Sequence, residues 1–504
     1  SDFLQYTEDN CTPADQLKIG IRRSGTGSGF PTNADGTAQT GVTFTCADLG
    51  TQLVELWSID KAGNADFCET YVLVQDNNYF CGDNAQVYGI IKTPEQLEGI
   101  ESAQVELGGT ANGVPVFRKV FSEMTGYYSF HNALPLAANA TITPTLELDP
   151  LNGVNTYDLI LISRHILGLE PLNTPYKLIS ADANKSGTIT TFDVVELRKL
   201  ILGTYTELPD NSSWRFVDKA QVFADMNNPF AETIRESISI LNIQNDFGIG
   251  DFIGAKIGDV DNTVIPNQFI SSDDRSSGTL LFDIDDREVR AGEALAVTLS
   301  ADQVVRGYQF TLGLKGLTPA LSDEVTAMAT ENFGVFENAV TTSWDAPAAF
   351  NGKAQFTLRF KATKSGKLSE MLNVSSRITK AEAYTGVSKY DVALRFNGKG
   401  ASTITGLGFE LYQNVPNPWV NKTQIGFHLP EATTATLTIY DVTGRTLYTA
   451  KGDFAKGYNC FTIDQSVVSL TSGAAGRSVN GAEPMYYKVE TTTDRGVKQM
   501  MNIK

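Results

Sequence analysis

Histidine is nearly absent from this chain, with only His131, His165 and His428 in 504 residues. A histidine general base or a histidine-rich metal site has those three to draw on and no others. Cysteine is scarce as well. Cys11, Cys46, Cys68 and Cys81 fall early, Cys460 stands alone near the end, and none has the C-x-x-C spacing of a zinc site. The longest apolar stretch, around 159–169, is broken by Ser163, Arg164 and His165, far short of the roughly 20 apolar residues of a membrane-spanning helix. Basic residues number 40 against 58 acidic ones, a net charge of −18, which disfavours nucleic acid or an anionic membrane as the main partner. Charged residues make up 19%, below the roughly 25% of an average soluble domain. What is abundant is glycine, at 44, with frequent threonine and asparagine, the composition of many strands and turns. The expected fold class is mostly β: a string of sandwiches with one small helical module. Ser1 is followed by no signal-peptide pattern, so an export signal is expected to have been removed or to lie upstream.

At about 150 residues per domain the length gives three or four domains, and more if the modules are short. Residues 1–81 alternate apolar and polar positions, as in Gln52-Leu53-Val54-Glu55-Leu56-Trp57, then turn at Lys61-Ala62-Gly63-Asn64. This is hairpin patterning. Together with Cys68 and the run ending at Asp76 it resembles the immunoglobulin-like hyalin repeat, lacking that repeat's first strand. Four cysteines in so small a module point to two disulfides and an oxidising compartment; of three connectivities, Cys11 with Cys68 is favoured. Cys460 reads as a small buried apolar residue. Residues 82–146, with Gln86-Val87-Tyr88-Gly89-Ile90-Ile91 and Gly126-Tyr127-Tyr128-Ser129-Phe130, read as a small sandwich and resemble transthyretin-like spacer modules.

Residues 147–262 contain the clearest helical pattern, as an internal repeat with an extension expected to pack on it. In its second copy the run 182–193 places Asp182, Asn184, Ser186, Thr190 and Asp193 at positions 1, 3, 5, 9 and 12, with Gly187 at position 6. That spacing wraps oxygens around a hard cation such as Ca²⁺, with Thr188 offering its backbone carbonyl. Val194, Leu197 and Ile201 then share a helical face that ends at Gly203. The first copy is poorer: Glu147, Asp149, Asn155 and Asp158 are its candidate ligands, Gly153 supplies a carbonyl, and Leu151 falls where a ligand belongs. The alternative is an Asx-rich turn whose carboxylates only cap the helices. A helix-loop-helix pair with Asp at position 12 resembles the dockerin repeat.

Dockerins are recognised by cohesins. Residues 276–397, notably Gly307-Tyr308-Gln309-Phe310 and Thr342-Ser343-Trp344, resemble a cohesin-type sandwich. Both halves of a binding pair in one chain imply docking within the molecule, head-to-tail joining of molecules, or two spacers without recognition; an open head-to-tail contact makes a fibre. Residues 408–504 carry Leu411-Tyr412-Gln413-Asn414-Val415-Pro416-Asn417-Pro418, Ile439-Tyr440-Asp441-Val442-Thr443-Gly444-Arg445 and Lys498-Gln499-Met500-Met501-Asn502. This order resembles the type A C-terminal sorting domain of the type IX secretion system of Bacteroidetes. The resemblance implies Sec export, recognition by the outer-membrane translocon, and removal of the domain with anchoring at the cell surface, with cleavage near 398–408.

No enzyme is expected. Gly25-Thr26-Gly27-Ser28-Gly29 lacks the lysine and following helix of a phosphate loop, and Asp283, Asp285 and Asp286 read as surface charge rather than a hydrolytic pair. The reading is a secreted or cell-surface structural or adhesive protein, stabilised by Ca²⁺ and self-assembling through its paired modules. The alternative is the anchoring and sorting portion of a larger secreted enzyme or carbohydrate-binding protein.

Overall fold

A computed structural model of the chain describes residues 13, 16–75, 84–111, 114–147, 149–248, 250–267, 276–320, 330–386, 388–398, 402–406, 408–415, 417–419, 422–464, 468 and 482–503. It is mostly β, as expected, and divides into two compact units. The first holds 1–146, 216–221 and 235–254; the second holds 147–215, 222–234 and 255–504.

In the first unit, β1 (Lys18–Arg23), β2 (Gly50–Ile59) and β3 (Ala65–Val74) form an antiparallel three-stranded sheet. Its buried Arg22 pairs with Glu55 at 2.5 Å, and the glycine-rich turn wraps this pair: Arg22 donates to the Gly29 carbonyl and Glu55 accepts from the Gly25 N–H. Here the structure corrects the disulfide expectation. Cys68 sits opposite Leu56 on the edge strand β3, exposed and with a free thiol, so Cys11 does not pair with it. Cys46 is disulfide-bonded, while Cys11 and Cys81 lie outside the described residues. With Cys68 free, two bonds among these four cysteines cannot form.

The rest of this unit is a sandwich of β4 (Asn84–Lys92), β5 (Gln104–Ala111), β6 (Val114–Phe121), β7 (Tyr127–Pro135) and β8 (Asn139–Thr145), completed by β9 (Trp214–Asp218), β10 (Ile238–Ile240) and β11 (Phe252–Lys256). The two sheets run β10-β8-β5-β6 and β7-β4-β11-β9. The extension after the helices was expected to pack on the helical repeat. Leu208, Phe230, Ile257 and Val260 do pack there, whereas β10 lies antiparallel on β8, and β11 lies parallel to β4 with Phe252 opposite Ile91. These strands are three to five residues long, and β9 and β11 are buried at every position, so neither carries the alternation that marks a strand in sequence.

The second unit begins with the helices α1 (Thr156–Ile166), α2 (Pro175–Ala181) and α3 (Thr191–Ile201), which pack Leu159, Ile162, Leu178, Val194, Leu197 and Ile201 into one core. Thr174 caps α2 ahead of Pro175, and Gly168 and Gly203, both at positive φ, end α1 and α3. A sandwich follows: β12 (Thr279–Asp285), β13 (Glu288–Val289), β14 (Ala294–Ala301), β15 (Gly307–Leu314), β16 (Leu317–Pro319), β17 (Phe333–Phe336), β18 (Ala339–Asp345), β19 (Gln355–Ala362), β20 (Gly366–Lys367), the short α4 (Leu368–Met371), β21 (Leu372–Ser375), β22 (Glu382–Tyr384), β23 (Lys389–Asn397) and β24 (Ser402–Thr405). Its main sheet runs β16-β19-β14-β12-β23-β22-β15-β18-β17 and closes on a core that includes Phe282, Tyr308, Phe310, Phe356 and Phe396. Asp283 is bound bidentately by Arg395 and Asp286 accepts from Ser369, so both carboxylates are structural.

The C-terminal module has β25 (Glu410–Leu411), β26 (Lys422–Leu429), β27 (Thr433–Tyr440), β28 (Thr446–Phe454), β29 (Gly457–Asp464), β30 (Ala482–Glu490) and β31 (Arg495–Ile503). Sheets β25-β26-β29 and β28-β27-β30-β31 face each other across Ile425, Phe427, Leu437, Ile439 and Tyr487. Cys460 on β29 is a half-buried free thiol, its pKa raised by burial. No helix among the described residues is long and apolar enough to cross a membrane.

Candidate metal centre

Helix α3 starts where the second loop ends. Thr190 is its N-cap, and Asp193 reaches back to accept the Thr190 N–H at 2.8 Å and the Asn184 N–H at 3.3 Å. At the loop's start, Asp182 accepts the N–H groups of Ser186 (2.8 Å) and Gly187 (2.9 Å), while Asn184 also accepts from Ser186 (3.1 Å). The Ser186 hydroxyl donates to the Thr188 carbonyl at 3.1 Å. Lys185 and Gly187 take positive φ, which lets the chain fold back so tightly. All six expected residues are therefore gathered in one turn. Asp182 and Asp193 are buried, and burial, with Asp182 as a neighbouring charge, pushes the Asp193 carboxyl up.

The first loop is built differently. Asp158 at the third position of α1 accepts the Asn155 N–H at 2.9 Å, as Asp193 does from Thr190. The acidic start of its loop comes from after β11. Asp259 accepts the N–H groups of Thr263 (3.1 Å) and Val264 (2.9 Å), Asp261 also accepts from Thr263 (3.2 Å), and the Thr263 hydroxyl donates to the Gly153 carbonyl at 3.1 Å. Residue for residue this repeats Asp182, Asn184, Ser186 and Thr188, and Asn262 has the positive φ of Lys185. Asn152 fastens the two segments by exchanging hydrogen bonds with the Ile265 backbone, 2.8 and 2.9 Å. One loop is thus assembled from 153–158 and 259–263.

Gly153, Asn155 and Asp158 stand where expected; Glu147 and Asp149 do not. Glu147 accepts the Ser213 N–H and Asp149 accepts from the Gln424 amide, both at 2.9 Å. Asp149 at positive φ, followed by Pro150, turns this segment away from the helix start. The signal that locates the true partners is Asp259-Val260-Asp261-Asn262-Thr263, which repeats the D-x-[DN]-x-[ST] pattern of 182–186.

Carboxylate oxygens of Asp158, Asp259 and Asp261 lie within 4.8 Å of one another. Burial and the Asp261 charge push Asp158 and Asp259 well above the usual carboxylate range. Nearby, the wholly buried Lys256 donates to the Pro150 carbonyl (2.7 Å) and the Ser213 hydroxyl (3.1 Å), and burial lowers its pKa to about 8. Three carboxylates with a threonine hydroxyl, an asparagine and a carbonyl suit a hard divalent cation.

Both helices lie on the outward face of β15 and β18. The Thr156 N–H donates to Gln309 and its hydroxyl meets that of Ser343, each at 2.7 Å. Tyr157 stacks on Tyr384 at 5.6 Å. Asp345 accepts from Ser163 (3.1 Å) and from the buried Arg198 (2.5 Å). Thr341 and Thr379 donate to the Leu202 and Ile201 carbonyls at the end of α3, each at 2.7 Å. The helices of 147–262 and the sandwich of 276–397 are thus in contact within one chain.

The histidines stand apart from this centre. His165 accepts the Leu172 N–H, His428 bonds the Gly408 carbonyl, and His131 sits under Gly50. Burial lowers the pKa of all three.

No family model and no curated protein matches the chain. Among solved structures it is similar to a type II cohesin dyad from the adaptor ScaA scaffoldin of Acetivibrio cellulolyticus, at 10% identity and a TM-score of 0.19, covering 33% of this chain and 62% of that one. It is similar to the full-length major pilin SpaD of Corynebacterium diphtheriae, at 8% identity and a TM-score of 0.21, covering 84% and 93%. CaCohA2 of Clostridium acetobutylicum matches at 13% identity and a TM-score of 0.13, covering 25% of this chain and 91% of that one. Likenesses of this size assign the chain to none of these proteins.

Proposed function

We propose that this chain is a non-enzymatic structural or adhesive protein of the cell surface, in which two calcium ions brace a helical module docked on its neighbouring sandwich. The observation that carries the calcium reading is the repetition of one hydrogen-bond set in two loops of different connectivity. A cap needs only the helix-starting residues; here the opening Asp, the third-position Asp or Asn and the fifth-position hydroxyl recur together. Residues 408–504 serve as a type IX sorting domain read by the outer-membrane translocon after Sec export. That part of the reading is supported by the motif order and by the two-sheet module those residues form.

Calorimetric titration of the chelator-treated chain with Ca²⁺ tests the first part. Two sites are expected, with Asp182→Ala removing one and Asp259→Ala the other; no heat in the unmutated chain defeats the calcium reading. Fusion of 408–504 to a periplasmic reporter in a type IX-competent host tests the second, with surface delivery expected and retention in the periplasm refuting it.

A further inference from the structure

The N-terminal sheet has two outer strands, and they are finished differently. Along β1 the turn over 31–39 lies against the outer side, with the Ile21 N–H donating to the Gln39 carbonyl at 2.7 Å. Strand β3 is the other edge, and among the described residues no strand pairs with its outer side. At the turn into β3 the Asp60 N–H donates to the Asn64 carbonyl at 2.9 Å, so the hydrogen-bonded pairs with β2 fall at Asp66, Cys68, Thr70, Val72 and Val74. The backbone groups of Phe67, Glu69, Tyr71 and Leu73 therefore point away from the sheet, and the Phe67 N–H rests on the carboxylate of Asp66 at 2.8 Å.

Proteins guard free edges with lysine, proline, bulges or short strands. Strand β6, the edge of a neighbouring sheet, carries Pro115, Arg118 and Lys119. Strand β3 runs for ten residues with no proline, no basic residue and an unbroken register on β2. On the face it shares with Leu53, Tyr71 is 67% and Leu73 53% exposed. A long, apolar, unguarded edge is a template for another strand.

We propose that β3 is a dimerisation edge whose occupant is β3 of a second copy of the chain, antiparallel about a twofold axis at Thr70. The strand is complementary to itself in that register. Phe67 faces the partner's Leu73, Cys68 faces the partner's Val72, Glu69 faces the partner's Tyr71 and Asp66 faces the partner's Val74, so no carboxylate opposes another. An axis at Glu69 would set two carboxylates opposite each other between chains of net charge −18, and an axis at Cys68 or Tyr71 would pair less of the strand. A shift of one residue would put each side chain on the wrong face. With the axis at Thr70, the outward backbone groups of Phe67, Glu69, Tyr71 and Leu73 all find partners, and the two sheets become one. The edge at β1 is covered, so pairing stops at two chains. This contact uses neither the calcium loops nor residues 408–504; it goes beyond the function proposed above and stands or falls apart from it.

Light scattering of the full chain at about 0.1 mM is expected to give twice the 54.7 kDa of one chain, in chelator as in Ca²⁺. Tyr71→Pro removes an N–H that β2 does not use, so unaltered circular dichroism and one-chain mass are expected. One-chain mass for the unmutated chain overturns the proposal, and so does an undiminished dimer of Tyr71→Pro. A cysteine trap reads the register without relying on that variant. Opposite residues of a non-hydrogen-bonded pair have Cα atoms about 4.5 Å apart, within disulfide reach. In a Cys68→Ser background, Thr70→Cys is expected to link two chains under mild oxidation; with Cys68 present, Val72→Cys links them as well. Monomers of Thr70→Cys on a non-reducing gel overturn the proposal. Linkage of the unmutated chain that Cys68→Ser abolishes overturns it too, because that bond needs the axis at Cys68.

Discussion

The two loops at the helix starts hold equivalent side chains in equivalent hydrogen bonds, yet one is a continuous run and the other joins segments about 100 residues apart in sequence. The pair therefore shares the geometry an oxygen-ligated cation needs, and differs in the path of the chain that supplies it. The residues beyond the ninth position differ as well. After Asn155 come Thr156 and Tyr157, covered by the sandwich; after Thr190 come Thr191 and Phe192, both exposed, with Phe192 at 72%. At its start the first repeat's helix is covered where its twin's is open, while the far end of α3 meets the same sandwich through Arg198, Ile201 and Leu202.

The comparison breaks most sharply if calcium is not the common purpose. Binding to the folded state alone stabilises by about 2.7 kcal/mol per site at a ligand concentration 100 times Kd. With two sites the expected loss on chelation is about 5 kcal/mol, read as a fall in denaturation midpoint. The continuous loop can retain weak affinity in an unfolded chain, whereas the divided loop cannot form there. Asp182→Ala is therefore expected to reduce the calcium-dependent gain less than Asp259→Ala does. Equal losses would show that connectivity has no thermodynamic consequence.

A second test exchanges the donor sets. Position 3 is Asn184 in one loop and Asp261 in the other. Asn184→Asp adds a charged ligand and is expected to tighten its site about tenfold, and Asp261→Asn to loosen the other by a similar factor, since ligand charge tunes such loops. Isothermal titration resolves both, and no change in either would remove these positions from the coordination sphere.

The same contrast separates the part of the site that was legible in the sequence from the part that was not. The continuous loop, its helix and the terminal Gly203 could be read directly, because spacing within 12 residues is a sequence property. The divided loop could not be read as a contiguous motif: Glu147 and Asp149 occupied the expected places in sequence, and only folding brings Asp259 and Asp261 to Asp158. The sandwich of 276–397 announced itself by alternation, as in Leu295, Val297 and Leu299. Strands β9 and β11, buried at every position, carry no such signal, which is why only the part of the extension that packs on the helices, Leu208, Ile257 and Val260 among it, was legible and the part that joins the preceding sandwich was not.

The eleventh position offers a smaller test. Tyr157→Ala removes a stacked ring from the seam and is expected to cost about 1 kcal/mol, in the range of aromatic pairs. Phe192→Ala touches an exposed ring and is expected to stay within about 0.5 kcal/mol of the parent. Urea denaturation of the two variants side by side checks the difference, and an equal cost at both positions would mean that Phe192 also has a covered role.

The smallest expected effect is a drift with pH, and its sign is set by the divided loop. Asp158 and Asp259 hold their protons more tightly in the folded, calcium-free chain than in the unfolded one, where a carboxyl titrates near about pH 4. The folded state therefore binds more protons above that pH, and this contribution to stability falls as pH rises through the elevated folded values. The three histidines act oppositely below about pH 6.5, because burial lowers their pKa, but that contribution is common to chelated and calcium-loaded samples. Calcium needs the same carboxyls ionised, so proton and ion compete and loading strengthens as pH rises. The calcium-induced gain in melting temperature is accordingly expected to grow between about pH 5 and about pH 7.5. Asp259→Ala should flatten that growth more than Asp193→Ala, since the divided loop pushes both Asp158 and Asp259 well up whereas the continuous loop raises Asp193 less steeply. Equal slopes in the two variants would assign the proton competition to carboxylates outside the divided loop.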